Sequence, residues 1–487
     1  MKNIFNNQKG TFLVVTLLMV AFFIILFSGL GSVQIYRQKL YKQQSAKHLA
    51  LYVAEAGVNY VVWRLAHDPN DYNASGVYNY NITGSEFHGV YEIIVTPPSP
   101  GSTVVTIQST GYLTEYPGVK RVIKTRYGKP SLSTYSLLTN EMAWFGGSET
   151  VVGKLHSNNI IRMDGSNDSI VSSALTNGFC TSSFGCNDEA SCISNAPQCS
   201  WVNSGGWKCQ CNGVFGAGSG AGLWRFPITP FDFTSLTTDL GALKTASQNA
   251  DGVYRAASGA SGYHVIFKDT GKFDLYRVNT LAAARRQLND NWSGYINTVK
   301  DEISLAGGSQ TALLTDANLP ANGLIFLEDN VWVHGIIKGR ATLVACSFEA
   351  DPTTTGKNIY IDDNLTYLAR DGSNSLGLIG ERHVKVTRPA PSTGSKLTVD
   401  ATMLAKNGHV YRTLYSNNSD RLIIDEIETY GGMISNRQWN WTWLDSGAVV
   451  DGFTNTTSIF DPNATYAPPP YFPTTNYHDF ISWEESQ

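Results

Sequence analysis

Cysteine is the residue type whose placement suggests the clearest chemistry in this sequence. Six of the seven cysteines lie in one polar stretch that is rich in glycine, serine and asparagine. These six are Cys180, Cys186, Cys192, Cys199, Cys209 and Cys211. An even number of closely spaced cysteines indicates a disulfide framework, which stabilises a segment with too few apolar residues for a core. The sequence does not determine which cysteines pair.

A zinc site is the alternative chemistry for such a cluster. Structural zinc sites usually present Cys-x-x-Cys pairs, and the cluster contains none; only Cys209 and Cys211 come close. The sequence therefore predicts disulfides, with no metal and no cofactor. The seventh cysteine, Cys346, lies in an apolar run, where we expect a buried strand.

Catalysis on a polysaccharide would require clustered carboxylates, and three pairs of acidic residues lie near each other in the sequence. They are Asp362 with Asp363, Asp425 with Glu426, and Asp164 with Asp168. Adjacent residues of a strand point to opposite faces, so the first two pairs do not share a face. The stretch from Asp164 to Asp168 lacks most of the EF-hand pattern of a calcium loop, which favours a turn.

The histidines offer little support for catalysis either, because they are scattered along the chain. His156 and His334 stand beside serine or glycine, in contexts typical of turns, and we expect structural roles for both. The sequence contains no Gly-x-Ser-x-Gly elbow, no P-loop and no His-Glu-x-x-His motif. We therefore expect no enzymatic activity. A membrane-anchored protein that binds or processes carbohydrate stays as an alternative.

Tryptophans form the remaining candidate site. Trp439, Trp441 and Trp443 alternate with polar residues, so their indoles would line one face of a strand. Such a row either stacks on sugar rings or on a partner, or it closes one end of the core. The second interpretation is favoured, because large aromatic side chains are usually buried. Trp201 and Trp207, within the cysteine-rich stretch, are the better candidates for contact with a surface glycan or protein ligand.

The first 66 residues determine how these groups are presented. The chain is uncharged from Gly10 to Tyr36, and its apolar centre is long enough to cross a bilayer as a helix. The helix then becomes amphipathic, with its apolar side formed by Leu49, Tyr52, Val53, Ala56, Tyr60 and Trp63. It should end near Asp68, because Pro69 disfavours helix at the preceding residue. A helix over 11–66 would be about 84 Å long.

This N-terminus resembles the type IV pilin-like proteins, specifically those with a PilX-type N-terminus. The residues that show the resemblance are Lys9-Gly10, Leu13-Val14, Leu17-Leu18 and Ala54-Glu55-Ala56-Gly57. The resemblance implies that prepilin peptidase cleaves after Gly10, which leaves Thr11 as the mature N-terminus. It also implies that the helix packs among other pilins or minor pilins in a filament, with Val15 and Glu55 at packing positions.

Val15 departs from the pattern of most pilins, which have glutamate at this fifth mature position. That glutamate is thought to pair with the terminal amine of a neighbour, and minor pseudopilins of the K type, which resemble filament caps, also lack it. The departure favours a minor subunit at or near a filament tip that promotes assembly, adhesion or uptake. A minor pseudopilin of a type II secretion system is the first alternative, and a plain signal anchor is another.

Composition agrees with an exported protein. Charged residues make up 16% of the chain, and the many glycines and tyrosines favour strands and turns. Disulfides require an oxidising compartment, so the region after the helix should be periplasmic or extracellular, with Lys2 and Lys9 inside. We expect a single pass through the inner membrane before assembly. A net charge of −4 gives no basis for nucleic-acid binding.

The rest of the chain divides into blocks. Residues 1–10 are a leader and 67–130 form a small antiparallel sheet. A polar loop over 70–84 precedes strands near Tyr91–Val95, Thr103–Leu113 and Lys120–Thr125. Residues 131–460 contain short apolar runs on a recurring step, which is typical of a parallel β-helix or related solenoid. A disulfide-rich insertion over 180–211 and a helical, glycine-rich insertion over 212–320 interrupt these runs. Within the second insertion the sequence predicts helices over residues 243–250 and 281–288. Residues 461–487 form a tail rich in proline and aromatic residues.

The predicted fold class is therefore mainly β with one long N-terminal α-helix. A pilin-like helix and small antiparallel sheet are followed by a parallel β-helix with insertions. Several stretches between His334 and Pro473 are similar to parts of large PilX-type proteins with a β-helical ectodomain. That second resemblance implies architecture and placement but no activity.

Overall fold

The protein forms two compact units. The computed structural model describes residues 8–81, 88–99, 102–195, 197–233, 240–289, 292, 294–297, 299–445, 447–475 and 478–486. Unit 1 contains the described residues of 1–99, 104–128 and 478–487. Unit 2 contains those of 100–103 and 129–477.

Three α-helices and many short strands follow one another along the described chain. The first group is α1 (Gln8–His67), β1 (Gly76–Asn81), β2 (His88–Thr96), β3 (Val104–Leu113), β4 (Tyr116–Gly128), β5 (Tyr135–Thr139), β6 (Ala143–Phe145), β7 (Thr150–Val152), β8 (Lys154–Ser157), β9 (Ile161–Met163), β10 (Ser166–Asn167), β11 (Val171–Ser173) and β12 (Asn177–Cys180). The second is α2 (Glu189–Ile193), β13 (Cys199–Asn203), β14 (Trp207–Asn212), β15 (Val214–Phe215), β16 (Trp224–Arg225), α3 (Leu240–Ser247), β17 (Val253–Arg255), β18 (Gly262–Lys268), β19 (Lys272–Val278), β20 (Gln287–Leu288), β21 (Tyr295–Ile296) and β22 (Gln310–Asn318). The third is β23 (Leu324–Leu327), β24 (Val331–Ile337), β25 (Arg340–Ala345), β26 (Ile359–Tyr367), β27 (Ser375–Gly380), β28 (Val384–Val386), β29 (Lys396–Asp400), β30 (Thr402–Ala405), β31 (Val410–Arg412), β32 (Ile423–Tyr430), β33 (Met433–Ser435), β34 (Thr442–Asp445), β35 (Ala448–Ile459) and β36 (Asp479–Ser486).

The predicted long N-terminal helix is confirmed as α1. Its first half exposes large apolar side chains around the whole circumference; Phe12, for example, is 73% exposed and Ile25 is 70% exposed. This helix contains a stretch long and apolar enough to cross a membrane, and nothing in the described chain buries that stretch. An apolar surface of this extent is stable only when lipid or another protein covers it.

The second half of α1 is amphipathic, as predicted, but its buried side differs from the predicted one. The fully buried residues recur at three- and four-residue steps and are mostly small: Ala46, Ala50, Val53, Ala54, Val58, Val61 and Leu65. Tyr52 and Trp63, which the prediction placed on this side, are more than half exposed. The reason is the close approach of α1 to the sheet of unit 1, which only small side chains permit.

That sheet has five antiparallel strands in the order β1-β2-β3-β4-β36. Strands β2, β3 and β4 lie where the sequence predicts strands. The predicted loop over 70–84 instead contains β1; residues 82–84 of that prediction lie outside the described residues. Tyr78 of β1 stacks on Tyr91 of β2, with ring centroids 5.4 Å apart, which gives this asparagine-rich strand an apolar contact. The predicted C-terminal tail provides β36, which pairs with β4.

Unit 2 is built around a ten-stranded sheet in which every pairing is parallel. Its order is β16-β11-β8-β5-β33-β30-β27-β25-β23-β17. Apolar residues stack in register across six of these strands on both faces. One row is Leu137, Met433, Met403, Leu378, Leu343 and Ile325, and the other is Leu138, Ile434, Leu404, Ile379, Val344 and Phe326. Both faces of the sheet are therefore buried, as is usual for parallel strands.

A thirteen-stranded sheet lies in the same unit, and the chain passes back and forth between the two sheets. Strands β23, β25, β27, β30 and β33 belong to the ten-stranded sheet, whereas β24, β26, β29 and β32 belong to the other. The first turns, from β5 onward, meet the last turns through the parallel pairs β5–β33 and β7–β35. The segment 226–252 connects β16 at one end of the ten-stranded sheet to β17 at the other.

The predicted insertion over 212–320 is less helical than expected. Helix α3 is close to one predicted helix, but 281–288 is irregular and ends in the short strand β20. Strand β18 joins the parallel stack beside β24, and β19 and β22 extend it as an antiparallel edge. The apolar side chains that indicated a helix at 281–288 include Leu281, which packs instead on a small outer cluster around Trp332.

The cysteine-rich segment forms three bridges: Cys180–Cys186, Cys192–Cys209 and Cys199–Cys211. Cys199 and Cys211 lie opposite each other on β13 and β14. All six cysteines are buried with Phe184 and Phe215 in a separate small cluster. Cys346 is the free cysteine, and it is buried. Burial is the main cause that raises the pKa of its thiol to about 12, and the negative charge of Glu381 is the second cause.

The close packing of α1 on β3 generates a stability prediction. A Cβ added at Gly111 would overlap backbone atoms of Ala50 and Ala54 in α1, and backbone cannot move aside cheaply. Gly111→Ala should therefore destabilise unit 1 by about 1–3 kcal/mol, measured by thermal unfolding of the detergent-solubilised chain.

Gly118→Ala is the matched control, because a Cβ at Gly118 in the same sheet meets nothing within 4 Å. We expect a change within about 0.5 kcal/mol for this variant. Equal effects of the two substitutions would contradict the close-packing argument.

Candidate functional site

A cavity of about 840 Å³ in unit 2 is the candidate functional site. Residues from 141–184 line one part of it and residues from 409–454 line another, so the cavity lies where the first turns of the stack meet the last. Four tryptophans are among its lining residues: Trp144, Trp292, Trp439 and Trp443. We call this site the tryptophan cavity. Its volume is in the usual range for small-molecule sites.

Trp144 is fixed by a small polar network. It lies on β6 between two buried residues, so the alternation of the strand directs it away from the core. The guanidinium of its cross-strand neighbour Arg162 lies 4.5 Å from the centre of the indole ring. Trp144 Nε1 and Arg162 Nε both donate hydrogen bonds to Asp164 Oδ2, at 2.9 and 2.7 Å. This network holds the indole in one orientation before any ligand arrives.

A second aromatic group forms another part of the lining. The ring of Trp292 stacks on His409 at 4.5 Å and meets Trp443 edge to face at 5.0 Å. Trp443 Nε1 donates a 2.8 Å hydrogen bond to the carbonyl oxygen of Arg412. Trp292 has a φ of 54°, a backbone conformation that non-glycine residues rarely adopt and that is often found at binding sites.

The three alternating tryptophans of the sequence have different environments. Trp439 and Trp441 are almost fully buried in the main core, where Trp439 stacks on Phe145 at 5.0 Å. Their burial agrees with the interpretation that these tryptophans belong to the end of the core. Trp439 nevertheless lines the tryptophan cavity, and its Nε1 has no hydrogen-bond partner among the described residues. A buried donor without a partner costs free energy that a bound acceptor would recover.

Carboxyl groups accompany the aromatic residues in the tryptophan cavity. Burial raises the pKa of Glu149 to about 8, and the negative charge of Asp164 raises it further. Hydrogen bonds from Thr456 and Gly146 act in the opposite direction and lower the pKa. Glu149 Oε2 has no hydrogen-bond partner within the described chain. Glu141 Oε2 already accepts a 3.1 Å hydrogen bond from the backbone of Gln438. At neutral pH Glu149 is therefore protonated and can donate a hydrogen bond.

The arrangement combines flat apolar surfaces with hydrogen-bonding groups. Indole faces suit the apolar C–H faces of a ring-shaped ligand, and amide, guanidinium and carboxyl groups suit its hydroxyls. Arg437, Gln438 and Asn440 supply further polar groups to the lining. A polyhydroxylated ligand such as an oligosaccharide fits this chemistry best.

The other candidate aromatics lie outside the tryptophan cavity. Trp207 begins β14 and is 63% exposed, and Trp201 of β13 is half-buried against the disulfide cluster.

The acidic candidates of the sequence are bonded to other protein groups. Asp164 and Asp168 accept hydrogen bonds from protein donors, including Ala217 N and Gly153 N. Asp363 binds the backbone of Asn364 and the Ser392 hydroxyl, whereas Glu426 pairs with Lys396.

His156 and His334 are in strands, not in the turns that the sequence predicts. His156 of β8 is buried and bonds to Ser172 and Asn158, and burial lowers its pKa. His334 of β24 contacts His264 and Asp362. The sequence did not indicate this contact, nor the roles of Trp144, Trp292 and Glu149. For His334 and Trp144 the available signal was an outward position in an apolar strand, whereas Trp292 and Glu149 lie outside the strands and gave no such signal.

The residues implied by the pilin resemblance are on α1. Gly10 and Thr11 lie close to its start. Val15 is 48% exposed in the apolar half. Glu55 is half-buried, and within the described chain it has no side-chain hydrogen bond or ion pair.

No protein-family model matches the sequence, and no curated protein matches it. Among solved structures, the chain is similar to the crystal structure of competence-associated pilin ComZ from Thermus thermophilus. The two chains are 13% identical, and the alignment covers 91% of this chain and 97% of that one, with a TM-score of 0.26. A TM-score this low supports no conclusion about fold or function.

The raised pKa of Glu149 generates a prediction about stability and pH. Between pH 4.5 and about 8 the folded chain keeps a proton that the unfolded chain has released. The free energy of unfolding should therefore fall as pH rises through this window, with a slope of up to about 1.4 kcal/mol per pH unit. Glu149→Gln should lack this contribution.

Denaturant unfolding of both proteins at several pH values, followed by tryptophan fluorescence, tests this. We expect the variant to gain stability relative to the wild type as pH rises. Parallel pH profiles for the two proteins would show that Glu149 is ionised in the folded state.

Proposed function

We propose that this chain is a minor type IV pilin-like subunit of the PilX type, placed at or near a filament tip, which displays unit 2 outside the cell. One observation supports this most strongly. A single 60-residue helix exposes an apolar half long enough to cross a membrane, while its other half packs on an antiparallel sheet. A helix of this kind can be held in the inner membrane first and among other helices later.

The exposed side of α1 supports a packing role for the helix. Tyr41, Tyr52 and Trp63 are more than half exposed and follow each other at steps of eleven residues. Residues at that step stay on one side of a helix, because eleven residues make just over three whole turns. The side facing away from the sheet is therefore aromatic, which suits contact with neighbouring pilins.

Two residues support a special position in the filament. Val15 replaces the acid that would pair with a neighbour's terminal amine, and a buried amine without such a partner would be costly. Half-buried Glu55 has no ion-pair partner in the described chain and is available to a partner subunit. Both features agree with a minor subunit that meets pilins on one side only.

We also infer that unit 2 is a parallel β-helix. The in-register parallel pairs of the ten-stranded sheet, and the alternation of the chain between sheets, support this architecture. Its three disulfides suit a periplasmic or extracellular location.

Processing by prepilin peptidase is the direct test of the anchor. Coexpression with the peptidase should yield a chain that begins at Thr11, and Gly10→Val should abolish cleavage. Gly29→Val is the control, since it changes another glycine of the same apolar helix and has open space around it. Intact mass and N-terminal sequencing give the result.

An uncut chain in the presence of the peptidase would indicate a plain signal anchor. Cleavage followed by assembly only with type II secretion components would instead indicate a pseudopilin.

Glycan binding is a second function, which the tryptophan cavity favours. Trp144 and Trp443 offer fixed ring surfaces there, and polar groups lie beside them. Binding is favoured over hydrolysis, because glycosidases need two available carboxyl groups. Of the three carboxyl groups in the lining, Asp164 is already bound by Trp144, Arg162 and Ala217, and Glu141 by the backbone of Gln438.

A glycan array followed by fluorescence titration of the strongest glycan tests this function. Trp443→Ala and Trp144→Ala should each weaken binding by about tenfold or more, as expected for central aromatic contacts. Trp207→Ala is the matched control, because Trp207 is exposed and lies outside the cavity lining. The reverse pattern would assign binding to the disulfide segment, and the absence of any glycan would contradict the proposal.

A further inference from the structure

His264, His334 and Asp362 form a cluster on one face of three neighbouring strands of unit 2. They belong to β18, β24 and β26, which pair in parallel side by side. In each strand the alternate residues face the core, as Val265, Val333 and Ile361 do. The cluster is therefore on the face of the sheet that points away from the core, and none of its three residues lines the tryptophan cavity.

The donor atoms of this cluster are close enough to share one ion. His264 Nε2 lies 3.2 Å from His334 Nδ1 and 3.3 Å from Asp362 Oδ2, and His334 Nδ1 lies 2.9 Å from Asp362 Oδ1. A tetrahedral ion with bonds of about 2.0–2.1 Å holds its ligands about 3.3–3.4 Å apart. The spacing therefore needs little adjustment for metal binding.

Gln310 orients one of the two imidazoles. Nδ1 of His264 donates a 2.8 Å hydrogen bond to Gln310 Oε1, which places the ring proton on Nδ1. The lone pair of Nε2 then faces His334 and Asp362. Metal-binding histidines usually have their second nitrogen held in this way by a neighbouring acceptor.

The charge balance of the cluster also calls for a cation. Both oxygens of Asp362 face histidine nitrogens, and in the described chain no lysine or arginine lies within ion-pair distance of this carboxylate. Asp363 adds a second negative charge close to His334. Nε2 of His264, which has no proton to donate, lies 3.3 Å from Asp362 Oδ2, and a cation between these two acceptors would make their contact favourable.

We propose that His264, His334 and Asp362 bind one divalent transition-metal ion of the zinc type. Two imidazoles and one carboxylate are the ligand set that Zn²⁺ and Co²⁺ accept readily. Binding displaces the proton of His334 Nδ1 to solvent. The His334 side chain is 27% exposed, so the fourth position is open to water or to a donor from another molecule.

Cobalt and zinc titrations of the full-length chain test the proposal. The chain is purified in detergent, the affinity tag is removed, and bound metal is stripped with a chelator. One equivalent of Co²⁺ should bind and give the visible absorption of a nitrogen- and oxygen-ligated ion, and Zn²⁺ should displace it. His334→Ala and Asp362→Asn should each lower the affinity by at least about 100-fold.

The matched control is the double variant His88→Ala/Glu115→Gln. It removes another histidine–carboxylate pair, with Nδ1 and Oε1 3.1 Å apart, that lacks a second histidine. This variant should bind Co²⁺ as the wild type does. Equal binding by all variants, or no bound cobalt in the wild type, would overturn the proposal, and a sulfur-to-cobalt band would assign the metal to Cys346 instead.

Gln310→Ala decides the question if the two ligand variants do not fold. It removes the orienting hydrogen bond but no ligand, and should weaken binding by about 10- to 100-fold. Unchanged affinity in this variant would contradict the proposed site.

Discussion

The parallel register between neighbouring strands of unit 2 is the constraint on which the rest of that unit depends. Each strand must present the same residues inward as its neighbour, since Leu343, Leu378 and Met403 stack directly on one another. A shift by one residue would turn the whole row to the other face. Long excursions such as the disulfide segment and 226–252 are therefore tolerated only between strands.

The same register brings distant residues together at the surface. His264 and His334 are 70 positions apart in sequence but only one strand apart in the sheet. The tryptophan cavity depends on a larger separation, because Trp144 belongs to the first turns and Trp443 to the last. These parts of the chain become neighbours because β33 pairs with β5 and β35 pairs with β7. Sites of this kind arise from stacking, with no local sequence motif.

This explains which features the sequence could predict. The helix α1 and strands β2–β4 follow from local periodicity, and the runs at β23–β27 follow from apolar composition. Strand alternation alone did not predict the surroundings of Asp362 and Asp363, because the pairing of β24 with β26 shifts register at these residues. The partners of Asp362 were not predictable either, because they depend on which strands become neighbours. The cysteine pairing and the position of β36 depend on tertiary structure in the same way.

The two sides of helix α1 meet different requirements. Close packing on the sheet selects small residues such as Ala50 and Ala54 opposite Gly111, so large side chains cannot be used on that side. The large residues Tyr52 and Trp63 are therefore left outside, although hydrophobicity alone predicted them inside. Their exposure costs free energy in an isolated subunit. A helix that keeps an apolar surface along its whole length is suited to surroundings that change from lipid to protein, because it offers each of them a surface to cover.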